Sequence, residues 1–363
     1  MSGYGAKGKR GMTSQDRAAK VLIVGAGAMG IVVGKVLQDG GAEIAFLVRP
    51  HRLERLSRPQ RLYSFDDHTL TSFSGYEVLT DPAGLPRGVY DFVIITLDGI
   101  ALRSPEGQAL VRAIGAAARD TSTKVLIGTI GVNLRPGFLE LSGLAEDQVF
   151  NGALYILVYQ ADRVTLPLHP PTNAELLAKA DFAHRQAAPM GIFIDDSAPE
   201  AARRFTELWQ ASGRSQCMVQ SAEGFATHLP AVFPMFVACD IMGWPTWSLL
   251  GTDKDLWELT AAATREIQDL SMNGETGQQA QAGTTADSLI QRWRMLEEET
   301  LPADLLEFNR FHHGGKVYQQ DVELLKDCVA IGEAEGKPMT ALKALIERAK
   351  LAHREGPTSG PAG

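Results

Sequence analysis

The run KVLIV at residues 20–24 is continuously apolar and breaks directly into Gly25, Ala26, Gly27, Ala28, Met29 and Gly30, after which a helical pattern begins. A strand without apolar–polar alternation is buried on both faces, as in a parallel sheet covered by helices. Glycines at this spacing, between strand and helix, form a dinucleotide-binding turn. Gly25 permits the sharp turn, Gly27 lets backbone amides approach a pyrophosphate, and Gly30 lets the helix lie close to the strand. The positive end of that helix then faces the phosphates. A ligand-free glycine turn is the alternative, and the agreement of strand, spacing and helix speaks against it.

The pattern continues as a βαβ unit should. The spacing predicts a helix over 28–38, stopped at Gly40 and Gly41, and a second strand over 42–48. Further strands are expected at 90–96, 124–129, 149–158 and 191–194, with helices between several of them. Phe205, Leu208 and Trp209 form the stripe of a helix capped near Ser197. Beyond residue 215 strand signals give way to amphipathic helices. One of these is predicted to start with a Thr252–Asp255 capping box; others carry Leu289, Trp293 and Leu296, then Val322, Leu325 and Val329, then Leu342, Leu345 and Ala349. The fold class expected is α/β: an N-terminal Rossmann-type doubly wound sheet at 19–215, followed by an all-α C-terminal domain at 216–354 for substrate and dimerisation. Residues 1–18 read as a disordered leader and 355–363 as a disordered tail, since neither holds core-forming residues.

A chain of 363 residues is long enough for two cores. Acids outnumber lysine and arginine by 43 to 35, which argues against nucleic-acid binding while leaving room for a local phosphate pocket. No apolar run approaches the roughly 20 residues that cross a bilayer, and there is no secretory h-region. Cys217, Cys239 and Cys328 are widely spaced, so neither a disulfide framework nor a metal site is expected, and a reducing cytoplasm fits.

Cofactor choice is set by the second strand. Its end carries Arg49, His51 and Arg52 where an acid would hold both ribose hydroxyls of the unphosphorylated dinucleotide. Guanidinium groups suit a 2′-phosphate, so NADPH is expected, with Arg49 as main ligand and Arg52 or His51 as helpers. Arg52 on the solvated face of the next helix is the competing reading. Leu97 and Asp98, after the strand at 90–96, should line the same crevice.

The residues quoted so far carry a resemblance. KVLIVGAGAMG followed by AEIAFLVRPHRLERL, then DFVIITLDG, TREIQDL and GEAEGKPMTALKALI, in that order, resemble the ketopantoate reductase (2-dehydropantoate 2-reductase) family over nearly the whole chain. The resemblance implies NADPH-dependent reduction of a 2-oxo acid, with a lysine from the helical domain as proton donor and a glutamate near the C-terminal end on the product hydroxyl. Here the lysine should fall within 222–228 and is absent. Gln319 stands for the glutamate, Asp321 survives, Asp98 replaces a lysine, and Thr129, Ile130 and Gly131 replace an Asn-Gly turn. The chain therefore resembles a divergent member, acting on a small 2-oxo acid or another carbonyl.

Reduction of a carbonyl needs a proton, so a group titrating near neutrality or a charged donor should face the site. His228 lies where the lysine is expected, with a structural helix histidine as the other reading. His312, His313, Gly314, Gly315 and Lys316 crowd polar groups around a glycine pair, where Arg310 or Lys316 could hold a carboxylate; surface charge and a loop cap are the alternative. Adjacent histidines without a third ligand make a poor metal site. Asp98 could orient a base, or simply start a turn. Phe233, Met235, Phe236, Trp244, Trp247 and Trp257 suggest core, a subunit contact or an apolar substrate pocket. Two other functions stay open: a non-catalytic NADPH sensor, and an opine-type or imine-reducing dehydrogenase. The expected partners are a small substrate and a second copy of the chain, with no nucleic acid or membrane.

Overall fold

A computed structural model describes residues 17–186 and 190–355. The expected leader and tail fall outside these residues apart from 17, 18 and 355; Arg17 is tied to Asp91 at 2.7 Å, and the last helix runs through Glu355. Twelve strands are described: β1 (Lys20–Val24), β2 (Glu43–Leu47), β3 (Gln60–Ser64), β4 (Leu70–Phe73), β5 (Glu77–Leu79), β6 (Phe92–Ile95), β7 (Lys124–Ile127), β8 (Val149–Leu154), β9 (Leu157–Gln160), β10 (Phe182–Arg185), β11 (Met190–Asp195) and β12 (Gln216–Gln220).

Eight of them form one sheet in the order β12-β11-β8-β7-β6-β1-β2-β5, parallel throughout except where β8 meets β11. The order reverses between β1 and β6, so a crevice opens at their carboxyl ends. Val21, Leu22 and Ile23 are fully buried, as the uninterrupted apolar run requires. The Ala28–Asp39 helix covers one face beside the Pro199–Gln210 helix, whose Phe205 and Trp209 are also fully buried. The fold class read from the sequence is thus the one observed, with a helical region beyond the sheet.

Several boundaries differ. A second sheet, β4-β3-β10-β9, was not foreseen, and the single strand expected at 149–158 divides between the two sheets. Strands do not end at 215, because β12 pairs in parallel with β11. The helix expected to start at a Thr252–Asp255 box runs Lys254–Gln268, capped by Asp253, whose carboxylate accepts the Leu256 N–H at 2.9 Å. An apolar stretch of bilayer-spanning length does exist at Ala222–Ile241, yet 56% of its window is buried inside the fold, as a core helix would be.

The helical core gathers Trp257, Trp293, Leu256, Ile267, Leu325, Leu342 and Leu345, and it reaches the sheet through Val132 after β7. An ion pair at 2.6 Å between Arg103 and Asp327 joins the two regions at the rim.

Candidate functional site

The glycine turn sits at the reversal of strand order. Gly25 has φ +102°, and its N–H donates to the Leu47 carbonyl at 3.0 Å, pinning the turn to β2. The Thr96 hydroxyl donates to the Val24 carbonyl at 3.0 Å, closing it from the β6 side. A Cβ on Gly30 would overlap the Gly25 carbonyl oxygen, whereas a Cβ on Gly27 would meet nothing within 4 Å. The turn is therefore packed on its inner side and open above the helix end. Gly27, the helix N-cap, brings no side-chain hydrogen bond to the first-turn amides, which a phosphate could take instead. Ala28 is buried against the sheet while Ala26 and Met29 pack beside it, so these three shape the turn and leave its amides free to face a ligand.

Leu97 adjoins Gly25, with its Cδ2 3.4 Å from where a Cβ would stand. Asp98 is exposed and accepts the Ala101 N–H at 2.7 Å, capping the Gly99–Arg103 helix. Its first task is that cap. Replacing Asp98 with Ala should cost about 1 kcal/mol in urea unfolding, and an unchanged midpoint would refute the cap's contribution.

At the other end of the crevice lies a strip of cations. Arg49 and Arg52 form no ion pair among the described residues, whereas Arg55 donates to Gln160 Oε1 at 2.9 Å and stacks over Phe182 at 5.0 Å. Burial lowers the Arg52 pKa, and the neighbouring guanidiniums of Arg163, Arg55 and Arg49 lower it further, though it stays cationic. Arg55 is paired with Asp162 at 3.8 Å, whereas Arg49, Arg52 and Arg163 have no acid partner among the described residues, and like charges held together are a cost unless an anion joins them. Arg163 was missed by sequence reasoning. It is brought in by the turn after β9, where its N–H donates to the Gln160 carbonyl at 3.0 Å, and only the pairing of β9 with β10 places that turn beside Arg55.

Lys316 sits between the two ends. Surrounding protein lowers its pKa, Arg163 lowers it further, and Asp98 acts in the opposite sense, so its ammonium lies within reach of both fields. It makes no ion pair among the described residues. Arg310, by contrast, is held by Glu307 at 3.4 Å and by the Gly243 carbonyl at 3.3 Å, which removes it as a free carboxylate ligand.

His312–Lys316 form a single turn of π-helix, a bulge that turns two adjacent rings at right angles to each other. The His312 ring stacks on Phe308 at 5.1 Å, and His313 stacks on Phe236 at 4.0 Å with Phe233 edge-on. His313 Nδ1 and Asp321 Oδ2 are 2.7 Å apart. Burial lifts the Asp321 carboxyl to about 8, with Asp240 adding to the rise, and burial depresses both imidazoles. Near neutrality the Asp321–His313 pair therefore shares one proton. Asp321 Oδ1 is buried without a partner.

His228, the expected proton donor, is not among the residues lining the cavity beside its helix. His228 is exposed and its Nδ1 lies 2.7 Å from the Gly224 carbonyl of its own helix, so it serves that helix. The opposite face, Ala222, Phe225, Ala226 and Leu229, lines a cavity of about 250 Å³ with Gly131 and Pro230. No titratable side chain on that face replaces the expected lysine except Glu223. Among the described residues no group of His, Cys, Asp and Glu has the arrangement of a metal site.

Residues 21–107 match the family model described as ketopantoate reductase PanE/ApbA. No curated protein sequence matches the chain. Among solved structures, 2-dehydropantoate 2-reductase from Geobacter metallireducens GS-15 aligns with TM-score 0.63 and 17% identity, covering 92% of this chain and 99% of that one. The same enzyme from Methylococcus capsulatus gives 0.62 and 15%, over 94% and 98%. A ternary structure of D-mandelate dehydrogenase with NADH and anilino(oxo)acetate gives 0.63 and 13%, over 92% and 98%. At these identities the likeness is one of fold.

Proposed function

We propose that this chain, which carries the ketopantoate reductase PanE/ApbA domain and fold, is an NADPH-dependent oxidoreductase reducing a small 2-oxo acid or a related carbonyl. What supports the reading is the open glycine turn after β1 together with Arg49, Arg52 and Arg163, three neighbouring cations that no acid neutralises among the described residues. The residues fit the cofactor. Amides at 27–30 would hold the pyrophosphate, Arg49 with Arg52 the 2′-phosphate, and Leu97 with Asp98 would border the crevice at the end of β6. Bound there, NADPH supplies a hydride.

The chain's own task is to hold the substrate and move a proton. Lys316, an unpaired ammonium in the crevice, suits the carboxylate of a 2-oxo acid, as a point charge rather than a bidentate clamp. Phe233 and Phe236 pack on His313, three residues before Lys316, and an aromatic surround there suits a bulky apolar group on the acid. D-mandelate dehydrogenase, solved with anilino(oxo)acetate, shows such a ligand accommodated in this fold.

The test is direct. Purified protein should quench or shift NADPH fluorescence on titration, with weaker affinity for NADH, and should oxidise NADPH with 2-oxo acids from pyruvate to phenylglyoxylate. Binding without turnover across that panel would favour a cofactor sensor, the alternative left open by the absence of a lysine at 222–228 and by Gln319 in place of a glutamate. Oxidation that requires an added amine would make the chain an imine-reducing dehydrogenase instead.

A further inference from the structure

The polar groups of the helical region are concentrated where the π-helix meets the start of the Phe233–Ile241 helix. His313 is clamped there on three sides: Phe236 lies against its face at 4.0 Å, Phe233 and His312 abut it edge-on, and Asp321 Oδ2 holds Nδ1 at 2.7 Å. Its side chain keeps 14% of its surface exposed against 4% for Asp321. Nε2 takes no hydrogen bond among the described residues and is not one of the buried orphan atoms, so solvent reaches that nitrogen. A ring fixed by a carboxylate at Nδ1, with Nε2 presented outward, is the arrangement that orients an imidazole for proton transfer.

The surrounding fold keeps the ring in this place. A Cβ on Gly314 would come within 2.6 Å of Trp244 Nε1 and 3.1 Å of Asp240 Oδ1, so only glycine allows the bulge to press against that pair. Trp244 Nε1 in turn donates to Asp240 Oδ1 at 2.9 Å. Phe233 lies one turn beyond Pro230, which lines the same cavity as Ala226.

We propose that His313, backed by Asp321, is the proton donor to the substrate oxygen. The role rests on the reductase reading given above. As hydride arrives at the carbonyl carbon, the C=O π pair moves onto oxygen, and that oxygen takes the proton from His313 Nε2. The Asp321 proton shifts to Nδ1, leaving a neutral imidazole and a carboxylate. Charge balances: a neutral couple becomes anionic as the alkoxide becomes an alcohol, and the reduced nicotinamide is the species oxidised. Asp240 on the helix beneath raises the Asp321 carboxyl further; His312 and Lys316 lie on the same turn as His313, Tyr318 at the start of the next helix, and Glu297 beyond Trp293.

The experiment combines kinetics with NMR of histidine-¹⁵N-labelled full-length protein. In the cofactor-free wild type, the His313 nitrogens should report one titration near pH 8, which Asp321→Asn abolishes. With NADPH and phenylglyoxylate, kcat/KM for reduction should fall above pH 8, where the couple has lost its proton. His313→Gln should lower kcat by about 10²–10⁴-fold while leaving NADPH affinity within about twofold. An imidazole that titrates near its ordinary value, nitrogen shifts indifferent to Asp321→Asn, or a His313→Gln rate close to wild type would each overturn the role. Absence of NADPH binding would sink the reductase reading, and the role with it; wild-type turnover by His313→Gln would sink the role alone.

Discussion

Gly30→Ala should prevent the N-terminal sheet from closing around its first helix, and the protein should unfold at markedly lower urea than wild type. The added methyl would occupy the position of the Gly25 carbonyl oxygen, a backbone atom held by the Gly25 N–H bond to Leu47 and by Thr96. Alanine's better helix propensity returns about 1 kcal/mol, while overpacking against fixed backbone costs about 3 kcal/mol or more, so the steric effect wins. Gly27→Ala is the informative contrast. Its methyl meets nothing within 4 Å and its φ is −73°, so stability should stay within about 0.5 kcal/mol of wild type. If the space above the helix end is where a pyrophosphate lies, the same methyl should weaken NADPH binding by about tenfold or more. Wild-type NADPH affinity in Gly27→Ala would show that the open space is not a phosphate site, and an undiminished urea midpoint in Gly30→Ala would show that the turn can relax.

These two glycines also mark what the sequence made legible. The βαβ unit was readable because strand burial, turn chemistry and helix start agree locally over about thirty residues. The second sheet was not, because β3 and β10 have Gln60, Arg61, His184 and Arg185 among their few residues, and their pairing joins segments 120 positions apart. The strand at 149–158 was read as continuous, since nothing in its composition announces that Tyr155 and Ile156 carry the chain from one sheet to the other. Likewise β12, with Cys217, Met218 and Val219, follows the Pro199–Gln210 helix as an ordinary crossover would, and the change to helical periodicity comes only after it. The Thr252 prediction slipped by one residue because threonine and aspartate are both good caps, and the structure uses Asp253.

At the candidate site the sequence narrowed the residues without ranking them. His312, His313 and Lys316 were grouped by proximity along the chain and Asp321 by the family resemblance, and the structure keeps them together on the π-helix and the helix that follows. What separates the two histidines is which ring meets a carboxylate, and that depends on a bulge no periodicity predicts. His228 was chosen by position, but helix phase decides direction: Ala226 and Leu229 face the cavity, and a residue two steps from one and one from the other does not. Arg163 had no local signal at all.

Replacing Arg49 and Arg52 together with Ala should erase the preference for the phosphorylated cofactor. A charge-assisted hydrogen bond contributes about 1.5–3 kcal/mol when sheltered, and exposure of Arg49 reduces that, so the pair should account for about 10–100-fold in NADPH affinity. NADH affinity should hardly change, because the lost partner is a phosphate that NADH lacks. Stability separates this site from a structural one. Arg52 is partly buried beside Arg49, Arg163 and an Arg55 that Asp162 already pairs, and removing Arg49 and Arg52 relieves their repulsion, so the cofactor-free double variant should melt at the wild-type temperature or above it. Arg55→Ala should do the opposite: it loses the bond to Gln160 and the stacking on Phe182, and should destabilise the protein without altering cofactor choice. Raising the salt concentration should weaken NADPH binding in the wild type more than in the double variant, since fewer charges then remain to be screened. Equal affinities for NADPH and NADH in the wild type, or a preference that survives the double substitution, would remove Arg49 and Arg52 from the cofactor site.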